Sequence, residues 1–406
     1  MATAATRSMK SVLLLLSVQI MFGLLHAVIS EEENLEMERQ LKVINKPPIK
    51  SFKTDYGDIL DCIDIHKQHA FDHPLLKDHK VQMRPKHVPK STMEGESPRL
   101  LPDNIKCPPG SVLIKRTTKE DLIMAKKMKA LGLNYPTNPA AADALFATVQ
   151  YSKHNLGAET TMNTWGPSTS HDQASFANLW IANGPTDVLN AVQAGWAVSN
   201  YSQTPFIVLI TRHIRVDFSL QVVPQLYSNN YTRLMTYWTV DGYKTGCFNY
   251  LCPGFVQVHP EITLGLVLNQ LSVYNGTQRD IQITLFKDGE WWLMFFNKVI
   301  GYWPKKLFFY MYSGANNVVW GGQVQSPSDE PSPPMGSGHF PRDGLQNKSA
   351  YFKDTQIWDG VNFTYPTPDQ LKVCSTRPDC YEAKITPGVA PNSMDLFYGG
   401  PGRCKI

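Results

Sequence analysis

Asp280-Ile-Gln-Ile-Thr-Leu-Phe-Lys-Asp-Gly-Glu-Trp-Trp-Leu-Met-Phe-Phe296 is the stretch that decides the fold class. Ile281, Ile283 and Leu285 alternate with Gln282 and Thr284, the period of a strand with one buried face. Asp288-Gly289 predicts a two-residue hairpin turn of the positive-φ kind, and Trp291 to Phe296 returns as an aromatic strand. Asn275-Gly276 marks a further turn just upstream. Outward from this hairpin the β texture reaches back to about Leu145, and helical periodicity is weak throughout. The expectation is a mainly β protein built as an antiparallel β-sandwich.

Residues 31–140 have another texture, rich in Lys, His, Pro and Glu. Pro47-Pro48, Pro85, Pro89, Pro98, Pro102 and Pro108-Pro109 interrupt any long element there. One helix is predicted over Lys119 to Leu131, with Thr117 or Thr118 as cap, Glu120 and Asp121 in the first turn and Gly132 at the end. Composition alone fits a prosegment or a plain N-terminal extension equally well. Before it, Arg7 and Lys10 precede the apolar run Ser11 to Leu25, and Val28-Ile29-Ser30 stands ahead of three glutamates. Residues 1–30 thus read as a signal peptide, the run being shorter than the ~20 residues a membrane span needs. A secretory route without stable membrane association is expected. The sequons at Asn200, Asn230, Asn275, Asn347 and Asn362 agree with a glycosylated surface.

The 406 residues are 42% hydrophobic and 18% charged with a net charge of +4, which argues against disorder and gives no call for nucleic acid. There is no Gly-x-Ser-x-Gly elbow, His-Glu-x-x-His helix, P-loop or dinucleotide fingerprint. No cofactor or metal is therefore expected. The seven cysteines contain no Cys-x-x-Cys pair, Cys247 and Cys252 can close a short loop, and an odd count leaves one thiol over. His66, His69, His73, His79 and His87 gather in the leading segment, where they are expected to titrate with pH.

Longer motifs carry the reading further. Leu60-Asp-Cys-Ile-Asp-Ile-His-Lys-Gln68, Ala70-Phe-Asp-His-Pro-Leu-Leu76, Gln82-Met-Arg-Pro85 and Cys107-Pro-Pro-Gly-Ser-Val-Leu-Ile-Lys-Arg-Thr-Thr118 resemble the activation peptide of the plant neprosin family. Asn183-Gly-Pro, Ala194-Gly-Trp, Tyr237-Trp-Thr-Val-Asp-Gly242 and Gly246-Cys-Phe-Asn-Tyr-Leu-Cys-Pro-Gly-Phe255 resemble its catalytic domain. Gly301-Tyr-Trp-Pro304, Trp320-Gly-Gly322, Met335-Gly-Ser-Gly-His-Phe340 and Gly399-Gly-Pro-Gly402 follow in the family's order. The resemblance implies an activation peptide over 31–140 and a catalytic-type β-sandwich of glutamic-peptidase type over 141–406. It implies a metal-free zymogen, secreted to the extracellular space, cell wall or vacuole, that cleaves after proline in acid with two glutamates in a cleft. It further implies disulfides Cys247–Cys252 and Cys380–Cys404, with Cys62–Cys107 as a third and Cys374 as the spare thiol.

Both glutamate positions are amides in this chain. The first falls on Gln193, in Val-Gln-Ala-Gly-Trp, and the second on Gln323, directly after Trp-Gly-Gly. Glutamine keeps the shape of glutamate and can hydrogen-bond an oxyanion, but it cannot take a proton from water. The expected function is that of a family member with impaired or absent peptidase activity. The alternatives are an active post-proline endopeptidase and a binder of proline-rich peptides or cell-wall glycoproteins. Proline-containing peptides are the expected partners, with Trp196, Trp238 and Trp303 as candidate apolar contacts. Asp187, Asp241 and Glu290 are the nearest acids in sequence and the candidates to replace a missing carboxylate. Finally, residues 198–221 interrupt the family's Gly-Trp-x-Val-x-Pro-x-Leu-Tyr pattern with 24 residues, or 72 nucleotides. They open with Val, whose codons begin GT, and close with Gln, one of whose codons is CAG, so they read as a retained intron or mis-predicted exon. The alternative is a genuine hairpin loop, since Pro205 to Ile210 has strand character.

Overall fold

The expected hairpin is formed by strand Asp280–Asp288 and strand Glu290–Phe295, with Ile283 opposite Phe295 and Leu285 opposite Leu293. The turn differs from the two-residue expectation. Asp288 pairs with Glu290, so the chain reverses over Gly289 alone, at φ 72°, where a side chain would be strained. This computed structural model describes residues 31–89, 99–130, 144–170, 172–200 and 230–405. The signal peptide and residues 201–221 of the proposed intron lie outside that set.

Two antiparallel sheets form the sandwich. One has nine strands in the order Val256–Gln257, Lys298–Trp303, Glu290–Phe295, Asp280–Asp288, Gly157–Asn163, Ala350–Trp358, Met394–Gly399, Glu382–Pro387, with Phe363–Thr364 paired to Ala350–Trp358. We call it the back sheet. The other, the site sheet, has seven in the order Leu371–Ser375, Ala144–Tyr151, Asn317–Gln325, Gln173–Asn183, Asn190–Asn200, Arg233–Thr239, Cys247–Phe248. Alternate residues from each meet between them, among them Ile181, Val192, Trp196 and Val318 from the site sheet and Ile283, Leu293 and Trp303 from the back sheet. Burying this apolar surface is the main favourable term of the fold.

The leading segment folds as a separate small unit that grips both outer faces. Lys50–Lys53, Ile59–Asp64 and Ser111–Lys115 make a three-stranded sheet closed by the Cys62–Cys107 disulfide. Residues 31–44 are helical. The helix expected near residue 119 runs Lys119–Ala130, and residues from 131 lie outside the described set. Its start follows from a reciprocal cap: Asp121 N–H donates to Thr118 Oγ1 at 3.2 Å, and Thr118 N–H donates to Asp121 Oδ2 at 2.9 Å. Ala70 and Phe71 pack with Phe286, Trp292 and Tyr302 on the outside of the back sheet. Met124 and Met128 pack with Phe176 and Met235 on the outside of the site sheet. Disulfides Cys247–Cys252 and Cys380–Cys404 are present in the sandwich, and Cys374 is a half-buried free thiol.

Candidate functional site

Register places the two glutamines. Gln193 stands opposite Trp180 on one side and Tyr237 on the other, while Gln323 stands opposite Phe176 and Phe146. Trp180 and Phe176 are four apart on one strand, an even spacing, so both glutamines project from the same face. It is the outer face of the site sheet, beneath the helix Lys119–Ala130. Between them stands Asn178, whose cross-strand neighbours are Gly195 and Gly321. A Cβ at Gly195 would come 1.9 Å from Ala177 O and 2.7 Å from Asn178 Oδ1, and one at Gly321 would come 2.3 Å from Ala147 O. Only glycine fits on either side of this asparagine.

The polar atoms here are incompletely matched. Asn178 Nδ2 donates to Gln193 Oε1 at 3.3 Å. Gln193 and Gln323 are each 3% exposed, yet Gln323 Nε2, Asn178 Oδ1 and Trp180 Nε1 have no hydrogen-bond partner. Leaving such a group dry and unpaired costs about 1–3 kcal/mol, so these three can each take a polar partner. Tyr237, beside Gln193, is stacked on Tyr243 at 5.7 Å, and burial pushes its hydroxyl well up. It stays neutral and offers no base.

No described strand of the site sheet puts an Asp or Glu on this face. Asp187 is exposed in the turn Thr186–Val188. Asp241 accepts from Thr239 and Thr245 within its own turn. Glu290 lies in the back sheet, holding Gln82 Nε2 at 3.0 Å and the Lys305 N–H. None of the three faces Gln193.

Trp196, Trp238 and Trp303 require a correction as substrate contacts. Trp196 and Trp303 are fully buried and Trp238 is 7% exposed, all within the core between the sheets. Trp196 is three residues from Gln193 on one strand, an odd spacing, and so faces the other way. The aromatic residues on the site face are Phe146, Phe176, Trp180, Tyr237 and Phe248 instead. Asn178 was invisible to motif reading, since only strand pairing shows what its glycine neighbours surround.

The leading segment closes the site. Met128 is 1% exposed beneath the helix, Met124 Sδ accepts from Ser199 Oγ at 3.2 Å, and Lys127 Nζ meets Asp172 Oδ1 at 2.6 Å. On the opposite side of the sandwich, Gln68 imitates a strand neighbour: its Nε2 donates to Gln257 O at 2.9 Å and its Oε1 accepts from Gln257 N at 2.8 Å. Tyr302 Oη lies 2.8 Å from His79 Nε2 and accepts from Gln82 N–H at 3.0 Å. Asn230, Asn275, Asn347 and Asn362 are all exposed, with Asn275 N–H donating to Asn347 O at 2.7 Å. Among the described residues, one group has the ligand spacing of a metal site, Asp379 with Cys380 and Cys404, and its sulfurs are joined in a disulfide.

Comparison with known proteins adds two kinds of likeness. The neprosin family profile matches residues 210–401, and the neprosin activation-peptide profile matches residues 51–160. Among solved structures, scytalido-glutamic peptidase with a transition-state analogue inhibitor aligns at 8% identity and a TM-score of 0.31, over 63% of this chain and 98% of that one. SCP-B, a member of the eqolisin family of peptidases in complex with the tripeptide Ala-Ile-His, aligns at 8% identity and a TM-score of 0.27, over the same shares.

Proposed function

Because this chain belongs to the neprosin family, we propose that it is a secreted, latent binder of proline-containing peptides that keeps the glutamic-peptidase cleft and lacks its hydrolytic step. One observation carries the reading: an orphan acceptor, Asn178 Oδ1, and an orphan donor, Gln323 Nε2, both buried on one face. A peptide unit offers one N–H and one C=O, the complement of that pair. Hydrolysis would need a carboxylate to take a proton from water while a partner donates one or holds the oxyanion. Gln193 and Gln323 can fill the oxyanion role only. The test is equilibrium binding of a labelled proline-containing peptide to processed protein, with product analysis on the same samples. Binding without products is expected. Post-proline cleavage abolished by Gln193→Ala would show an active peptidase instead.

Latency rests on residues 31–140 acting as an activation peptide, and acid should loosen it. Burial pushes the His79 pKa down from 6.5, Glu290 pulls it up, and Lys306 adds to the lowering. The ring is hydrogen-bonded to the Tyr302 hydroxyl and packs 6.5 Å from the Phe71 ring. Burial and Lys306 likewise lower His73, and burial lowers His69 against the upward pull of Asp72. A released histidine titrates near 6.5 and a docked one lower, so the released state binds more protons below that value. Docking strength is therefore fully present above about pH 6.5 and falls as the pH falls. Proteolysis at pH 5 should yield a fragment beginning between Lys126 and Asp143, and at pH 7.5 much less of it. Equal yields at both values would rule out the histidine trigger.

The intron reading of 198–221 also stays a proposal. Strand Asn190–Asn200 includes Val198, which is fully buried. Removing 198–221 would bring Val222 to that position and keep a valine in the core. The deletion variant is expected to fold with an unchanged circular dichroism spectrum and raised solubility; an unfolded product would make the segment a native part of the protein.

A further inference from the structure

Arg233 lies on the same face as the two glutamines. It opens the strand Arg233–Thr239 opposite Ala197, in the cross-strand row that continues through Phe176 to Gln323. Its Nη1 donates to Gly265 O at 2.9 Å, so the sandwich itself aims the guanidinium. A carboxylate partner comes from the leading segment: Asp58 Oδ2 is 2.7 Å from the same nitrogen, with the two side chains 10% and 20% exposed. Asp121, on the covering helix, acts on Arg233 through space, and it too belongs to the leading segment. Beside the ion pair is a cavity of about 260 Å³ between the two units, lined on the sheet side by Phe176, Ala197, Met235 and Phe248.

From this arrangement we propose that Arg233 is a specificity residue that receives an acidic side chain of the bound peptide, and that Asp58 stands in for it in the latent form. The inference rests on the reading of this face as a peptide-binding cleft. Guanidinium and carboxylate match as a fork to a fork, which gives direction as well as charge. The pair is largely screened from water, where charge-assisted hydrogen bonds are strongest. When the leading segment leaves, Asp58 and Asp121 leave with it, while Gly265 O still orients the arginine. The place held by Asp58 is then open to a carboxylate from the peptide. Arg233 is two strands from Asn178, ~10 Å, and two residues further along the sheet, ~7 Å. The direct path of ~12 Å corresponds to three or four residues of an extended peptide.

The experiment compares two labelled peptides, alike except for Glu or Gln four residues from the proline, on protein processed from the full chain by limited proteolysis. The Glu peptide is expected to bind about tenfold more tightly at low salt, since hydrogen bonds to charged groups exceed those to neutral ones by that order. Arg233→Gln should abolish the difference, and Arg233→Lys should keep part of it. Equal binding of the two peptides by wild-type protein overturns the inference, makes the Asp58 contact a latch alone, and leaves the cleft reading standing. If neither peptide binds, the cleft reading falls and this inference with it. The comparison on wild-type protein needs no variant, so a misfolded Arg233 mutant does not blunt it.

Discussion

A chain carrying both Gln193→Glu and Gln323→Glu is expected to hydrolyse proline-containing peptides in acid, about 10²–10⁴-fold faster than the wild-type chain. Each single variant should stay near the wild-type level, because two catalytic groups that work as a unit lose most of their effect when either is missing. The prediction is structural as well as chemical. Both side chains already project from one face with Asn178 between them, so the change supplies carboxylates without moving the backbone. Each glutamine is 3% exposed, and a carboxyl in such a place has its pKa raised by burial. One of the new glutamates should then keep its proton in mild acid and serve as donor while the other serves as base. Mass spectrometry of peptide products across pH 3–7 is the measurement. A double variant that binds peptide but makes no product would mean the site has lost more than its two carboxylates.

Trp196→Ala is expected to cost about 3–5 kcal/mol of stability and to leave the peptide affinity of the remaining folded protein unchanged. The side chain is fully buried and donates from Nε1 to Asn163 O at 3.0 Å, tying the two sheets together. Truncation leaves a cavity and an unpaired carbonyl, which add to the lost apolar burial. Denaturant unfolding should show a lower midpoint with a similar slope. A variant of normal stability that no longer bound peptide would return Trp196 to the cleft and reverse the assignment of faces.

These two predictions separate what local sequence carries from what folding adds. The alternation of Ile281, Ile283 and Leu285 and the glycine at 289 state a strand and a reversal, because side-chain period and positive φ are properties of a few neighbouring residues. The Thr118–Asp121 cap and the acidic first turn state a helix for the same reason. The odd step from Gln193 to Trp196 also held the answer about that tryptophan, since in an unbroken strand it puts the two on opposite faces. Large aromatic residues suit a core and a binding platform equally, and composition favours neither. Gln193 and Gln323 could be named from motifs 130 residues apart, but no local pattern says that they share a face or that Asn178 lies between them. That follows from the pairing of three strands. Asp58 and Arg233 are 175 residues apart, and neither has a neighbour in sequence that points to the other. The sequence by itself determined the 281–296 hairpin, the helix near residue 119, the secretory reading and the amide substitutions, all set by short-range sterics and motif. It did not determine the helix over residues 31–44 or the three-stranded sheet of the leading segment. The tertiary structure alone put Gln193 and Gln323 on one face, laid the leading segment over it and paired Asp58 with Arg233, because strand register and domain docking join residues far apart in the chain.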